Sequence, residues 1–191
     1  TASGMPRFRK AEFCAAYPFG QVFLSDPDMP LDVRLEAFNP FVPADAEKSG
    51  LPVAVIRFVL TNRTGKRVMA SVAGSMQNFI GTDGVEGRPE GNVNTFRKGK
   101  AVQGIWMRSR TVGQEDGRFG TMALTTTAKS GVSYRRSWMK RVRFFEQLLD
   151  FWDDFSDDGK LDDRTPGDEA GPVGSLAVRI SIPPKGSRTI T

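Results

Sequence analysis

The sequence predicts a mainly β fold: an antiparallel two-sheet β-sandwich with one amphipathic helix inserted late in the chain, at about residues 137–157. Three observations carry that prediction. Asp32, Arg34 and Glu36 alternate with Val33, Leu35 and Ala37, the pattern of a strand with one wet face. Residues 53–60 are apolar on both faces apart from Arg57, so this second strand belongs inside a sheet. From residue 137 to 155, Trp138, Val142, Phe145, Leu149 and Trp152 recur at helical spacing beside a second row, Phe144, Leu148, Phe151 and Phe155.

The elements follow in order. A strand is expected near residues 21–24, and Asp26-Pro27-Asp28-Met29-Pro30 then makes a turn, because Pro fixes φ and Asp favours turns. Residues 31–38 form the alternating strand. The crossing Asn39-Pro40-Phe41-Val42-Pro43 is stiffened by its prolines and leads through a polar turn, 45–50, to the apolar strand. Asn62-Arg63-Thr64-Gly65-Lys66 reads as a tight turn, with residues 67–74 returning as the second arm of a hairpin. Asn62-Arg63-Thr64 also spells a glycosylation sequon, which is expected to stay unused in a tight turn, the protein being expected to be bacterial. Residues 81–99 hold five glycines and no sustained periodicity, the composition of a long loop. Strands are expected at 102–108, 119–127 and 175–182, where Pro183-Pro184 stops the pattern. Gly159 is placed to end the helix. Residues 188–191 read as the opening of a strand that the chain does not finish.

Composition bounds the chemistry. With 191 residues, 39% hydrophobic content, 14 Phe and 3 Trp, the chain can bury the core of one large domain, and global disorder is excluded. No stretch approaches the ~20 apolar residues that span a bilayer. The start, TASGMPRFRK, has no apolar signal core and reads as a processed or excised boundary. The single cysteine, Cys14, rules out an internal disulfide, which fits a cytoplasmic or peripheral protein better than a disulfide-rich secreted one. Its setting, EFCAAYPF, predicts a small buried hydrophobe rather than a nucleophile. Histidine is absent, which removes Ser-His and Cys-His nucleophiles and every His-containing metal site.

Charge offers three candidate sites, each weighed against an ordinary surface. The net charge is +5, from 27 basic and 22 acidic residues spread along the chain. Lys140-Arg141-Val142-Arg143 is the best nucleic-acid argument, but its neighbouring aromatics share the apolar stripe, so no nucleic-acid partner is expected. Asp154, Ser156, Asp158 and Asp162 fall at alternating positions around Gly159, close to a calcium loop. Position twelve falls on Thr165 instead of a bidentate Glu, so a solvated acidic helix end is the favoured reading and calcium the lesser one. As a glycosidase acid/base pair these aspartates lack the apolar pocket that raises a carboxyl pKa. The expected helix also sets its charges against its dipole: Arg135, Arg136, Lys140, Arg141 and Arg143 at the start, Asp150, Asp153, Asp154, Asp157 and Asp158 at the end. Partners elsewhere must then satisfy those charges, and a sharper expectation is that the helix docks against another part of a larger polypeptide.

Six phrases carry a resemblance. They are Tyr17-Pro18-Phe19-Gly20; Asp26-Pro27-Asp28-Met29-Pro30; Leu35-Glu36-Ala37-Phe38-Asn39-Pro40-Phe41-Val42-Pro43; Ser49-Gly50-Leu51-Pro52-Val53-Ala54; Gln77-Asn78-Phe79-Ile80-Gly81; and residues 151–161, FWDDFSDDGKL. In this order they resemble the N-terminal β-sandwich of glycoside hydrolase family 116. That family holds bacterial β-glucosidases and the animal non-lysosomal glucosylceramidase, or bile acid β-glucosidase. The resemblance implies one accessory domain over residues 1–191, truncated before a further strand. It also implies a C-terminal (α/α)6 catalytic domain in the same polypeptide, which would supply both carboxylates for retaining hydrolysis of a β-glucoside or glycolipid. No catalytic motif of that domain has a counterpart here, so no catalytic residue and no cofactor are assigned, and the chain alone is expected to be silent. A truncated sheet edge would invite pairing with a second copy. The different reading is a carbohydrate-binding module, with exposed aromatics such as Trp106 or Tyr134 stacking on sugar rings.

Overall fold

The computed structural model describes residues 5–82, 91–139, 146–164 and 170–191. Among them the strands are β1 (Lys10–Ala16), β2 (Phe19–Ser25), β3 (Leu31–Phe38), β4 (Val55–Asn62), β5 (Val68–Gln77), β6 (Asn92–Lys98), β7 (Gln103–Ser109), β8 (Thr121–Thr126), β9 (Val132–Arg135), β10 (Trp138–Met139), β11 (Ala170–Gly171), β12 (Val173–Ile182) and β13 (Ser187–Ile190). The helices are α1 (Ala46–Ser49) and α2 (Glu146–Asp158). The fold is mainly β with antiparallel sheets, as predicted. The chain divides into two compact units, residues 1–70 with 180–191, and residues 71–179.

The first unit is built on a five-stranded sheet ordered β1-β2-β3-β4-β13. β3 pairs with β4 along its whole length, Leu31 opposite Asn62 and Phe38 opposite Val55. β13 pairs with the other side of β4, so the apolar strand is interior to the sheet as expected. Paired residues share a face. Leu31, Val33, Leu60 and Ile190 therefore gather on one side, all of them buried. The opposite side carries the wet residues: Arg34 Nε donates to Glu36 Oε1 at 2.8 Å, and Arg57 Nη1 to Glu36 Oε2 at 3.4 Å. Such exposed pairs contribute at most about 1 kcal/mol each.

Three expectations fail in this unit. β1 carries no clean alternation and was not foreseen, yet it pairs with β2 over its full length. Its seven side chains are all exposed, Cys14 included, because edge position and a shared row with Gln21, Glu36 and Arg57 put the thiol on the wet face. The polar turn at 45–50 contains a single helical turn, α1, capped by Asp45, whose carboxylate accepts from Lys48 N at 2.9 Å. The β4–β5 hairpin does not form: β4 bonds β3 and β13, whereas β5 bonds β12. The reason lies at Asn62, which is 1% exposed. Its N–H donates to Gly186 O at 2.9 Å, and its side-chain Nδ2 donates to Lys66 O and Pro183 O at 2.7 and 3.0 Å. The approach to β13 thus occupies the edge a hairpin would have used. Those same bonds tie up the sequon amide.

In the second unit β6-β7-β8 form a three-stranded antiparallel sheet. Ile105 and Met107 of β7 are fully buried and face β12, where a Cβ on Gly174 would lie 2.9 Å from Met107 Cε. Only glycine lets the two layers approach this closely. Leu176, Ala177 and Val178 of β12 complete the core. The strands expected at 102–108, 119–127 and 175–182 are β7, β8 and β12. The expected loop at 81–99 contains β6. Asn is disfavoured in strands, but Asn92 and Asn94 find tertiary partners there. Residues 83–90 of that loop lie outside the described residues.

The helix is shorter than its periodicity predicts. It spans Glu146–Asp158, while Trp138–Met139 form β10, paired with β11. Residues 140–145, with Lys140, Arg141, Val142, Arg143, Phe144 and Phe145, lie outside the described residues. Trp138 does meet the helix, its indole stacking on Phe151 with centroids 4.8 Å apart. Its Nε1 donates to the buried Ser175 Oγ at 2.7 Å, a tertiary bond that outweighs helical propensity. Gly159 ends α2 as expected, with φ of 75° and its N–H on Phe155 O at 3.0 Å.

Candidate functional site

The acidic face of α2 lies over a buried arginine. Arg135, the last residue of β9, is 3% exposed in its side chain; its Nη1 meets Asp150 Oδ2 and its Nη2 meets Asp154 Oδ2, both at 2.8 Å. Its Nε donates to Asp162 O at 3.1 Å. Arg164 Nη2 holds the other oxygen of Asp150 at 2.8 Å, and Asp154 Oδ2 also accepts from Asp162 N at 3.1 Å. Beside this, Arg136 Nη2 pairs with Asp163 Oδ2 at 2.7 Å, which raises the pKa of the guanidinium. Arg135, Asp150, Asp153, Asp154, Asp162, Asp163 and Arg164 line an open polar cleft of about 400 Å³. A planar fork with separate donors can serve all three acceptors of Arg135 at once.

Asp150 and Asp154 lie before the last turn of α2, where the helix dipole has little effect, and arginines from outside the helix neutralise them. Arg135 and Arg136, expected at the helix start, belong to β9 and the residue after it. The sequence signal for the clamp was the run of aspartates on the helix, and nothing marked Arg135 as buried.

Of the four calcium-loop residues, Asp154 and Asp162 line the same cleft, and Ser156 and Asp158 do not. Asp154 is spent on Arg135, and Ser156 Oγ donates to Asp153 O at 3.5 Å. Asp158 accepts from Lys160 N at 2.9 Å and Lys160 Nζ at 2.7 Å, and Lys160 lowers its pKa. The side chain of Asp162 faces the cleft. Thr165 lies outside the described residues. Among the described residues no group of three or more Asp, Glu, Cys or His is placed to hold a metal ion.

The remaining shifted carboxyls move the same way. Asp26 is lowered by the N–H of Asp28, Asp45 by the Lys48 side chain, and Asp116 falls to about 2 beside Arg118. A proton donor working near neutral pH needs a shift in the other direction.

Both aromatics named as sugar platforms have internal partners. Arg97 Cζ lies 3.4 Å from the Trp106 ring centroid and Arg108 Cζ 5.5 Å from it. Tyr134 stacks on Phe96 with centroids 4.0 Å apart, nearly parallel. The most exposed aromatics are elsewhere, in the first unit. At the end of the five-stranded sheet that holds the β1–β2 turn, Phe13 is 72%, Tyr17 79%, Phe41 50%, Val53 49% and Ile56 47% exposed. Phe13 leans across Gly20, and Tyr17 meets Phe41 edge-on at 6.0 Å. No helix among the described residues is long and apolar enough to cross a membrane.

A β-rich domain emerges whose described carboxylates are largely committed to arginines, lysines and backbone N–H groups, with a broad apolar end left uncovered. The family model described as beta-glucosidase 2, glycosyl-hydrolase family 116 N-term, matches residues 2–191. The chain therefore belongs to glycosyl hydrolase family 116 as its N-terminal domain, as the six sequence phrases implied. No curated protein sequence matches it.

Proposed function

We propose that this domain is a non-catalytic brace in a retaining β-glucosidase or glucosylceramidase, packing against an (α/α)6 catalytic domain of the same polypeptide. The observation that carries the reading is the apolar end of the five-stranded sheet, with Phe13, Tyr17, Phe41, Val53 and Ile56 all about half exposed or more. Monomeric proteins rarely leave such clusters uncovered, and larger exposed patches mark interaction sites. The carboxylates support the same reading from the other side. Asp150 and Asp154 share Arg135, and the shifted carboxyls are shifted down, so none is prepared to protonate a leaving group. Substrate, a β-glucoside or glycolipid, is then handled by the catalytic domain.

The test is made in the full-length enzyme. Phe13→Ser with Tyr17→Ser should lower the temperature at which glucosidase activity is lost, while the folded domain alone melts nearly as before because these side chains are already 72% and 79% exposed. Unchanged inactivation of the full-length double variant would sink the proposal. The carbohydrate-binding reading through aromatic faces loses its support, since Trp106 carries a guanidinium and Tyr134 a phenyl ring.

A further inference from the structure

The outer face of β6-β7-β8 holds two arginines without a counter-ion. Thr95, Arg97, Gly104, Trp106, Arg108 and Thr121 share this face by register. Both guanidinium carbons lie within 5.5 Å of the one indole ring. Elsewhere Arg34, Arg118, Arg135, Arg136 and Arg164 each hold a carboxylate at 2.7–2.8 Å. Among the described residues neither Arg97 nor Arg108 does, and Arg108 Nε is buried without a hydrogen-bond partner. Both cations sit on one face around the same indole, and an oxyanion on that face would be attracted by each of them.

The stacking also decides how a ligand is held. A guanidinium lying on an indole uses its flat face and leaves its N–H edge free. Ligand contact therefore runs through the edges of Arg97 and Arg108, with Trp106 as a positioning residue. Gly104 and Ala123 on either side of the indole keep the strip shallow, and Thr121 and Thr125 of β8 are exposed beside it. A shallow strip with separate fork donors suits carboxylates spaced along an extended chain, with the threonine hydroxyls available to sugar hydroxyls. The geometry points to an acidic polysaccharide of the uronate type as the occupant, bound by the second unit and independently of the apolar end of the first.

Affinity electrophoresis of the 191-residue chain through gels containing polygalacturonate, dextran sulfate or a neutral glucan tests this. The chain should be retarded most by polygalacturonate, and salt should release it. Arg97→Gln with Arg108→Gln should weaken retardation about tenfold. Lys66→Gln with Arg188→Gln, the same change of net charge at exposed positions elsewhere, should leave it intact. Trp106→Leu should weaken it less than the double arginine variant, with Arg97 released from its platform. No retardation of the parent chain, equal retardation by dextran sulfate, stronger retardation by the neutral glucan, or equal loss in the two double variants would each overturn the assignment. Far-ultraviolet circular dichroism confirms that every variant compared is folded.

Discussion

Replacing Arg135 with Met should destabilise the second unit more than any surface substitution. The side chain is 3% exposed and serves Asp150, Asp154 and the carbonyl of Asp162. Removing one member of a buried ion pair costs about 3–5 kcal/mol, because the other charge stays behind without compensation. Asp150 and Asp154 keep 28% and 18% of their side-chain exposure, so water takes up part of the stranded charge. The expected loss is therefore about 2–4 kcal/mol, a fall in Tm of roughly 4–16 °C for a chain of this size. Urea and thermal melts followed by circular dichroism measure it, and tryptophan fluorescence reports the Trp138–Phe151 contact at the same time. Removing both sides of the network tests the cause. The triple variant Arg135→Met, Asp150→Asn, Asp154→Asn should recover part of the loss, since the one charge left without its partner, Arg164, is 37% exposed and can be solvated. A loss below about 0.5 kcal/mol for Arg135→Met, the range of an ordinary surface change, would refute the reasoning.

Further outcomes follow from single positions. Gly131 has φ of 70°, and a Cβ there would lie 2.1 Å from Arg179 O, so Gly131→Ala should cost more than about 1 kcal/mol in a urea melt. Ser175 is fully buried and bonds both Trp138 Nε1 and Ser75 Oγ at 2.7 Å; Ser175→Val should cost about 1–3 kcal/mol and shift the tryptophan emission. Asp116, depressed to about 2 by Arg118, contributes stability that is fully present above its ordinary value of 3.8 and is lost as pH falls through about 2. Carboxyl NMR titration should place its midpoint near 2, and Arg118→Gln should return it toward 3.8; a wild-type midpoint already at the ordinary value would contradict the pairing.

Sequence alone reached the interior of the fold more readily than its edges. Residues 31–38 alternate because one face is buried and one is wet, and β3 has those bounds. The neighbouring β4 is apolar on both faces and is paired on both sides. β1 was illegible because an edge strand with every side chain exposed imposes no alternation. The asparagines of β6 hid a strand because their stability comes from partners distant in sequence: Asn78 Nδ2 reaches Asn94 Oδ1 and Arg108 O, both at 3.1 Å. Trp138 reads as helical because its spacing from Val142, Phe145, Leu149 and Trp152 fits helical periodicity; its ring does meet α2, at Phe151, but from a strand. The clamp was half visible. The run of aspartates on the helix called for outside cations, and only the fold could name Arg135 and Arg164. In the same way, Trp106 stood out as an aromatic, while the two arginines that change its chemistry come together only through the β6–β7 register.

On the proposed reading this domain supports catalysis without performing it. Incubating the purified 191-residue chain with an aryl β-glucoside and following release of the aryl group is the decisive assay. No release above buffer is expected at any pH at which the chain stays folded. Steady release that scales with the concentration of the chain would contradict it.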